Sequence, residues 1–162
     1  MIEAWLLAGF FAAHAVWSVE DGETLIPIFA YYKDGQRYME RVEADLLEDS
    51  VRIGQEALAA NAANATSAVL IYDGFLTFDG RRSDALFIEL RTYGATPVEA
   101  RLAIPYQPHS DAAPFTVYRP KLIALPDNLD SQVAELLEAF WKGVDSHEQG
   151  SKAWDAHIDQ SR

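Results

Sequence analysis

Between Ala4 and Ser18 the chain has almost no polar face: Trp5, Leu6, Leu7, Phe10, Phe11, Val16 and Trp17 fall on every side of a helical projection. A helix of that kind is stable in water only when enclosed on several sides, so the rest of the fold must supply more than one covering surface. Met1-Ile2-Glu3 carries an acid where a secretory leader carries positive charge, His14 interrupts the apolar run, and the run is too short for a bilayer. The segment therefore reads as a buried helix.

The periodicity then changes. Thr24 to Tyr32 and Gln36 to Val42 flank Lys33-Asp34-Gly35, and an Asp-Gly pair between β-favouring runs predicts a hairpin, with Tyr31 opposite Tyr38. A helix is expected from about Asp45 to Ala60, with Asp45 and Glu48 at capping-box spacing and Leu47, Val51, Gly54 and Leu58 on one stripe. Gly54 on that stripe predicts close approach to a sheet.

Ala68 to Tyr72 is an unbroken apolar run, the pattern of a central strand covered on both faces. Asp73-Gly74 suggests a bulge or a turn, and Asp79 to Ser83 a loop. Strands are expected at Asp84 to Thr92, Val98 to Tyr106 and Phe115 to Ala124, and short connections require them to run antiparallel. Pairing of Asp84–Thr92 with Val98–Tyr106 should set Arg91 against Glu99 and Glu89 against Arg101, with Leu90 opposite Ala100 on the other face.

A last helix, capped by Asp127 or Asn128, carries Leu129, Val133, Leu136, Leu137, Phe140, Trp141 and Val144 at helical spacing. Beyond Asp145 only Trp154 and Ile158 are strong anchors, so 145–162 reads as a tail or short helix docked by those two residues. The expected fold is α+β: an antiparallel sheet of about six strands in the order α-ββ-α-ββββ-α, covered by helices, in a single domain of 162 residues.

The net charge of −12 repels phosphate backbones and anionic membranes, which argues against nucleic-acid and membrane partners. The absence of cysteine removes disulfides, thiolate catalysis and cysteine metal sites, and suits a cytoplasmic setting. No nucleotide-binding glycine motif, nucleophile elbow or zinc-helix motif is present, and no cofactor is implied. Asp155, His157 and Asp159 alternate at a spacing that aligns on a strand but not on a helix, so no metal site is expected.

The remaining candidates are dispersed. His14 lies among aromatics near the end of the first helix, and with Asp84, Tyr106, Arg119 and Lys121 it forms a candidate ligand set near the strand ends. On the last strand Phe115, Val117, Arg119, Lys121 and Ile123 share a face. Either Pro120 and Lys121 protect a sheet edge, or Arg119 and Lys121 bind a carboxylate or phosphate. Trp141, Trp154 and Ile158 are candidate interface residues. Together these features favour a non-catalytic, self-associating interaction module, most simply a homodimer, made through a sheet edge or an aromatic helix face. The alternative is a small-molecule-binding protein or small enzyme for an anionic metabolite, with its pocket near His14 and the strand ends.

Overall fold

The first helix, α1, runs from Ile2 to Val19, longer than its apolar run alone indicates, in a computed structural model that describes residues 1–162. It is long and apolar enough to cross a bilayer, yet 11 of its 18 residues are buried inside this chain. One side lies on a sheet, and the other is covered by α3 (Val133–Asp145) and α4 (Glu148–His157). That sandwich explains why α1 has no continuous polar face whereas α3, which packs on α1 and not on the sheet, is strongly amphipathic.

Glycine makes the sandwich possible. A Cβ at Gly9 would collide with the backbone carbonyl of Phe140, and one at Gly143 with that of Leu6. At Gly150 an added Cβ would lie 2.5 Å from the carbonyl oxygen of Ala13. The helices thus touch through their backbones at three places, with Ala8, Ala12, Ala13 and Ala15 buried along the same helix. Trp154, fully buried, closes the far side against Phe140 and Trp141, with ring centroids 6.2 and 5.2 Å away.

The sheet is formed by β1 (Ile28–Lys33), β2 (Gln36–Arg41), β3 (Ser67–Phe78), β4 (Arg81–Thr92), β5 (Val98–Gln107), β6 (Thr116–Tyr118), β7 (Lys121–Ala124) and β8 (Ile158–Asp159). The order is β2-β1-β3-β4-β5-β6-β8, with β7 also on β5, and every pair is antiparallel except β6 with β8. The expected six strands become eight for two reasons. Pro120 cannot donate to a ladder, so Phe115–Ala124 divides into β6 and β7 with an irregular register on β5, and the chain end adds β8.

The first hairpin has Tyr31 opposite Tyr38, as expected, with Asp34 and Gly35 at φ 50° and 76°. Asp79-Gly80 makes a second such turn, so β4 resumes at Arg81 and the expected loop shrinks to two residues. Asp73-Gly74 is neither bulge nor turn. β3 runs through it in unbroken register, and Gly74 leaves space for the Phe87 ring. Strands β4 and β5 pair Arg91 with Glu99 and Glu89 with Arg101, the charge-matched register.

Alternation on β3 feeds two cores. Val69 and Ile71 join the α1 side, while Ala68, Leu70 and Tyr72 face α2 (Leu47–Ala60) with Phe29, Leu58 and Phe87. Gly54 lets α2 approach Leu70, but Leu47 is exposed and the expected Asp45 cap does not form, because α2 starts after Leu46 with no side-chain cap. A 3₁₀ turn at Asp127–Gln132 similarly begins without an Asp127 or Asn128 cap.

The glycine contacts make a differential prediction. Gly143→Ala should lower stability by about 2 kcal/mol or more, because its Cβ meets backbone that cannot step aside. Gly54→Ala should cost much less, since the nearest atoms to its Cβ belong to the Leu70 side chain, which can turn aside, and the change gains about 1 kcal/mol of helix propensity. Denaturant midpoints measure both, and equal losses would contradict backbone contact as the determinant.

Candidate functional site

The stripe of α1 left uncovered by the sheet and by α3 and α4 holds Phe10, His14 and Trp17, three and four residues apart. Strand β2 lies beside it. Arg37 places its guanidinium 3.7 Å from the Phe10 ring centroid. Arg37, Met39 and Arg41 alternate onto one face of β2, opposite Tyr32, Ala30 and Ile28 of β1, the face that looks toward α1. From the third side comes His147, which joins α3 to α4 and is buried.

The two histidines determine each other's protons. His147 Nδ1 accepts from the Gly150 N–H at 2.9 Å and caps α4. An accepting ring nitrogen carries no hydrogen, so neutral His147 is protonated at Nε2. That nitrogen lies 3.0 Å from His14 Nδ1 and donates to it. The proton of His14 therefore sits on Nε2, which is buried and has no hydrogen-bond partner in the protein. A further proton would oppose either the bond between the rings or the cap on α4.

Electrostatics agree. Burial, then the neighbouring His147 and Arg41, hold His14 below its ordinary pKa. Burial also holds His147 down, partly opposed by a backbone hydrogen bond, and Arg37 adds a smaller push in the same direction as burial. The aromatic surroundings, Phe10 at 4.8 Å and Trp17 at 5.9 Å from the His147 ring, offer no counter-charge.

At the end of α1 His14 lines a cavity of about 380 Å³ with Trp17, Ser18, Glu20, Asp21, Glu23, Thr24, the Leu25–Ile26 pair, Ile28 and Arg41. None of Asp84, Tyr106, Arg119 or Lys121 lines it, so the five candidate ligand residues do not converge. Tyr106, opposite Asp84 across the β4–β5 ladder, donates its hydroxyl toward both Asp73 oxygens at 2.9 and 2.8 Å. Burial raises Tyr106, with Asp73 adding to it. Burial also raises Asp73, offset by the Tyr106 bond and reinforced by Asp84.

The break at Pro120 disperses the two cations proposed for an anion site. Arg119 directs its backbone N–H and Nε to the Arg162 carbonyl oxygen, both at 3.3 Å, whereas Lys121 Nζ lies 5.2 Å from the Phe78 ring centroid. Of the expected interface residues, Trp154 is consumed in this chain's own core, and Trp141 and Ile158 are half-buried against it. Sequence reading missed His147, Arg37 and Arg41. The strand period places the two arginines on one face, but nothing local marks His147 as the partner of a histidine 133 positions away.

Comparison with protein-family models, with curated proteins and with solved structures finds no match.

The histidine pair gives a pH dependence with a definite sign. Both folded pKa values lie below the ordinary 6.5, so the unfolded chain binds more protons in the window beneath it. Stability is fully present above 6.5 and is lost as pH falls through the folded values, by well under the limit of about 1.4 kcal/mol per pH unit for each histidine, since water screens both rings. Raised Asp73 acts oppositely, gaining stability at lower pH. His147→Asn keeps a capping acceptor and removes a titrating ring. Its melting temperature should therefore fall less than that of the wild type between pH 7.5 and 5.5, and an equal fall would exclude the pair as the source.

Proposed function

We propose that this chain is a non-catalytic interaction module that associates with a second copy of itself through the free edge of β2. The observation that carries the reading is the state of that edge: β2 ends the sheet, and all six of its residues are exposed. In a hairpin closed by Asp34-Gly35, Gln36, Tyr38 and Glu40 exchange hydrogen bonds with β1. The N–H and C=O groups of Arg37, Met39 and Arg41 consequently point outward.

The contrast with β7 is informative. That strand has four residues, follows Pro120 and begins with Lys121, all features that discourage pairing with another chain. β2 has no proline, lysine or bulge, and it carries Tyr38 and Met39 at 41% and 37% exposure. Its charges select a register without forbidding one. Two-fold antiparallel pairing centred on Tyr38 sets Arg37 against Met39 and Gln36 against Glu40, whereas centring on Met39 would oppose Arg37 and Arg41. The cytoplasm is the proposed setting, since the chain has no cysteine.

Light scattering across the micromolar range tests the proposal. The wild type should weigh as a dimer. Met39→Pro, which removes only an outward N–H, should weigh as a monomer with little change in melting temperature. Tyr38→Pro should instead destabilise the hairpin by breaking its bond to β1. A monomeric wild type, or a Met39→Pro protein that stays dimeric, overturns the proposal.

A further inference from the structure

His14 Nε2 and the exposed Arg41 bring two donors without a protein acceptor to one place in the fold. The proton on Nε2 follows from the bonds between His147, Gly150 and His14, and Nε2 is one of five buried side-chain donors left unpaired within the protein, the others belonging to Trp5, Ser67, Arg101 and Trp154. Arg41 makes no ion pair or side-chain hydrogen bond, although the chain contains 25 acidic residues against 13 basic ones. Both line the cavity at the end of α1.

The same cavity holds three carboxylates from the turn that follows α1. Glu20 lies 3.7 Å from His157 Nε2, and Asp21 accepts from the Glu23 N–H at 3.3 Å, while Glu23 has no cationic partner. A simple anion would meet the two donors and be opposed by these acids, and a simple cation would meet the converse. A molecule bearing both signs satisfies both sets. The volume, about 380 Å³, is at the small end of ligand pockets and accommodates one of amino-acid size.

We propose that this cavity binds a small amino carboxylate, its carboxylate accepting from His14 Nε2 and pairing with the Arg41 guanidinium while its ammonium group faces Glu20, Asp21 and Glu23. Arg41 supplies a planar fork suited to a carboxylate, and the imidazole supplies a single directed N–H. Nε2 has almost no exposed surface, so binding requires a neighbouring side chain to shift. Trp17, edge-on to the His14 ring at 5.8 Å and 40% exposed, has solvent to move into. This proposal stands independently of self-association.

The test uses the whole chain at pH 7.5 and constant ionic strength, with β-alanine, γ-aminobutyrate and 5-aminovalerate as probes of graded length and butyrate as the carboxylate-only control. NMR follows the Trp17 indole and His14 ring signals. At least one amino carboxylate should give saturable shifts in both, with butyrate at least tenfold weaker. Arg41→Met, at an exposed position, should weaken that probe tenfold or more, and Glu23→Gln should narrow its advantage over butyrate. Absence of saturable shifts, butyrate matching the amino carboxylates, or unchanged binding in Arg41→Met would each overturn the proposal. Melting curves confirm that the variants are folded, and light scattering on the same samples separates this result from the oligomeric question.

Discussion

Backbone contact between α1 and the α3–α4 pair is the constraint on which the remaining architecture depends. An apolar helix can be enclosed by a sheet on one side and two helices on the other only if those helices come close enough to exclude water. Large side chains at Gly9, Gly143 or Gly150 would hold them apart. The close approach has a second effect. It brings the α3–α4 connection over α1 at the level of Phe10 and His14, and so places His147 beside a histidine far away in the chain. The chemistry of the candidate site is thus a by-product of how tightly the helices cross.

Elements specified by local chemistry were readable from the sequence. The Asp34-Gly35 turn set the first hairpin, because both residues adopt positive φ there. Opposite charges on one face and apolar residues on the other set the β4–β5 register. Asp73-Gly74 misled because glycine can serve two ends. Here it clears space for Phe87 inside a straight strand, a packing requirement that only the neighbouring strand reveals. The predicted caps did not form either: the α2 helix follows Leu46 and the 3₁₀ turn follows Pro126, so the capping-competent residues Asp45, Asp127 and Asn128 do not stand at the cap positions.

The candidate site was legible only in part. His14 announced itself as a polar residue in an apolar helix, but its role depends on His147, and the bond between them spans 133 positions. Asp84 and Tyr106 do face each other across a ladder, yet Tyr106 bonds to Asp73, where the sequence suggests only a bulge or a turn. Arg119 and Lys121 illustrate the limit of strand periodicity. Alternation puts them on one face only while the strand continues, and Pro120 ends it between them.

On strand β2 the proposed edge pairing and the proposed ligand contact draw on different groups and do not compete. Its outward ladder groups belong to the backbone of Arg37, Met39 and Arg41 and lie in the plane of the sheet. The side chains of the same residues project out of that plane toward α1, where Arg37 covers Phe10 and Arg41 reaches the cavity at His14. A strand's two-residue period keeps hydrogen-bonding direction and side-chain direction at right angles. Pairing at the edge would therefore leave the Arg41 guanidinium directed at the cavity, and occupation of the cavity would leave the ladder groups free. Coupling between the two would have to pass through displacement of β2 itself, which the hairpin with β1 resists along its whole six-residue length.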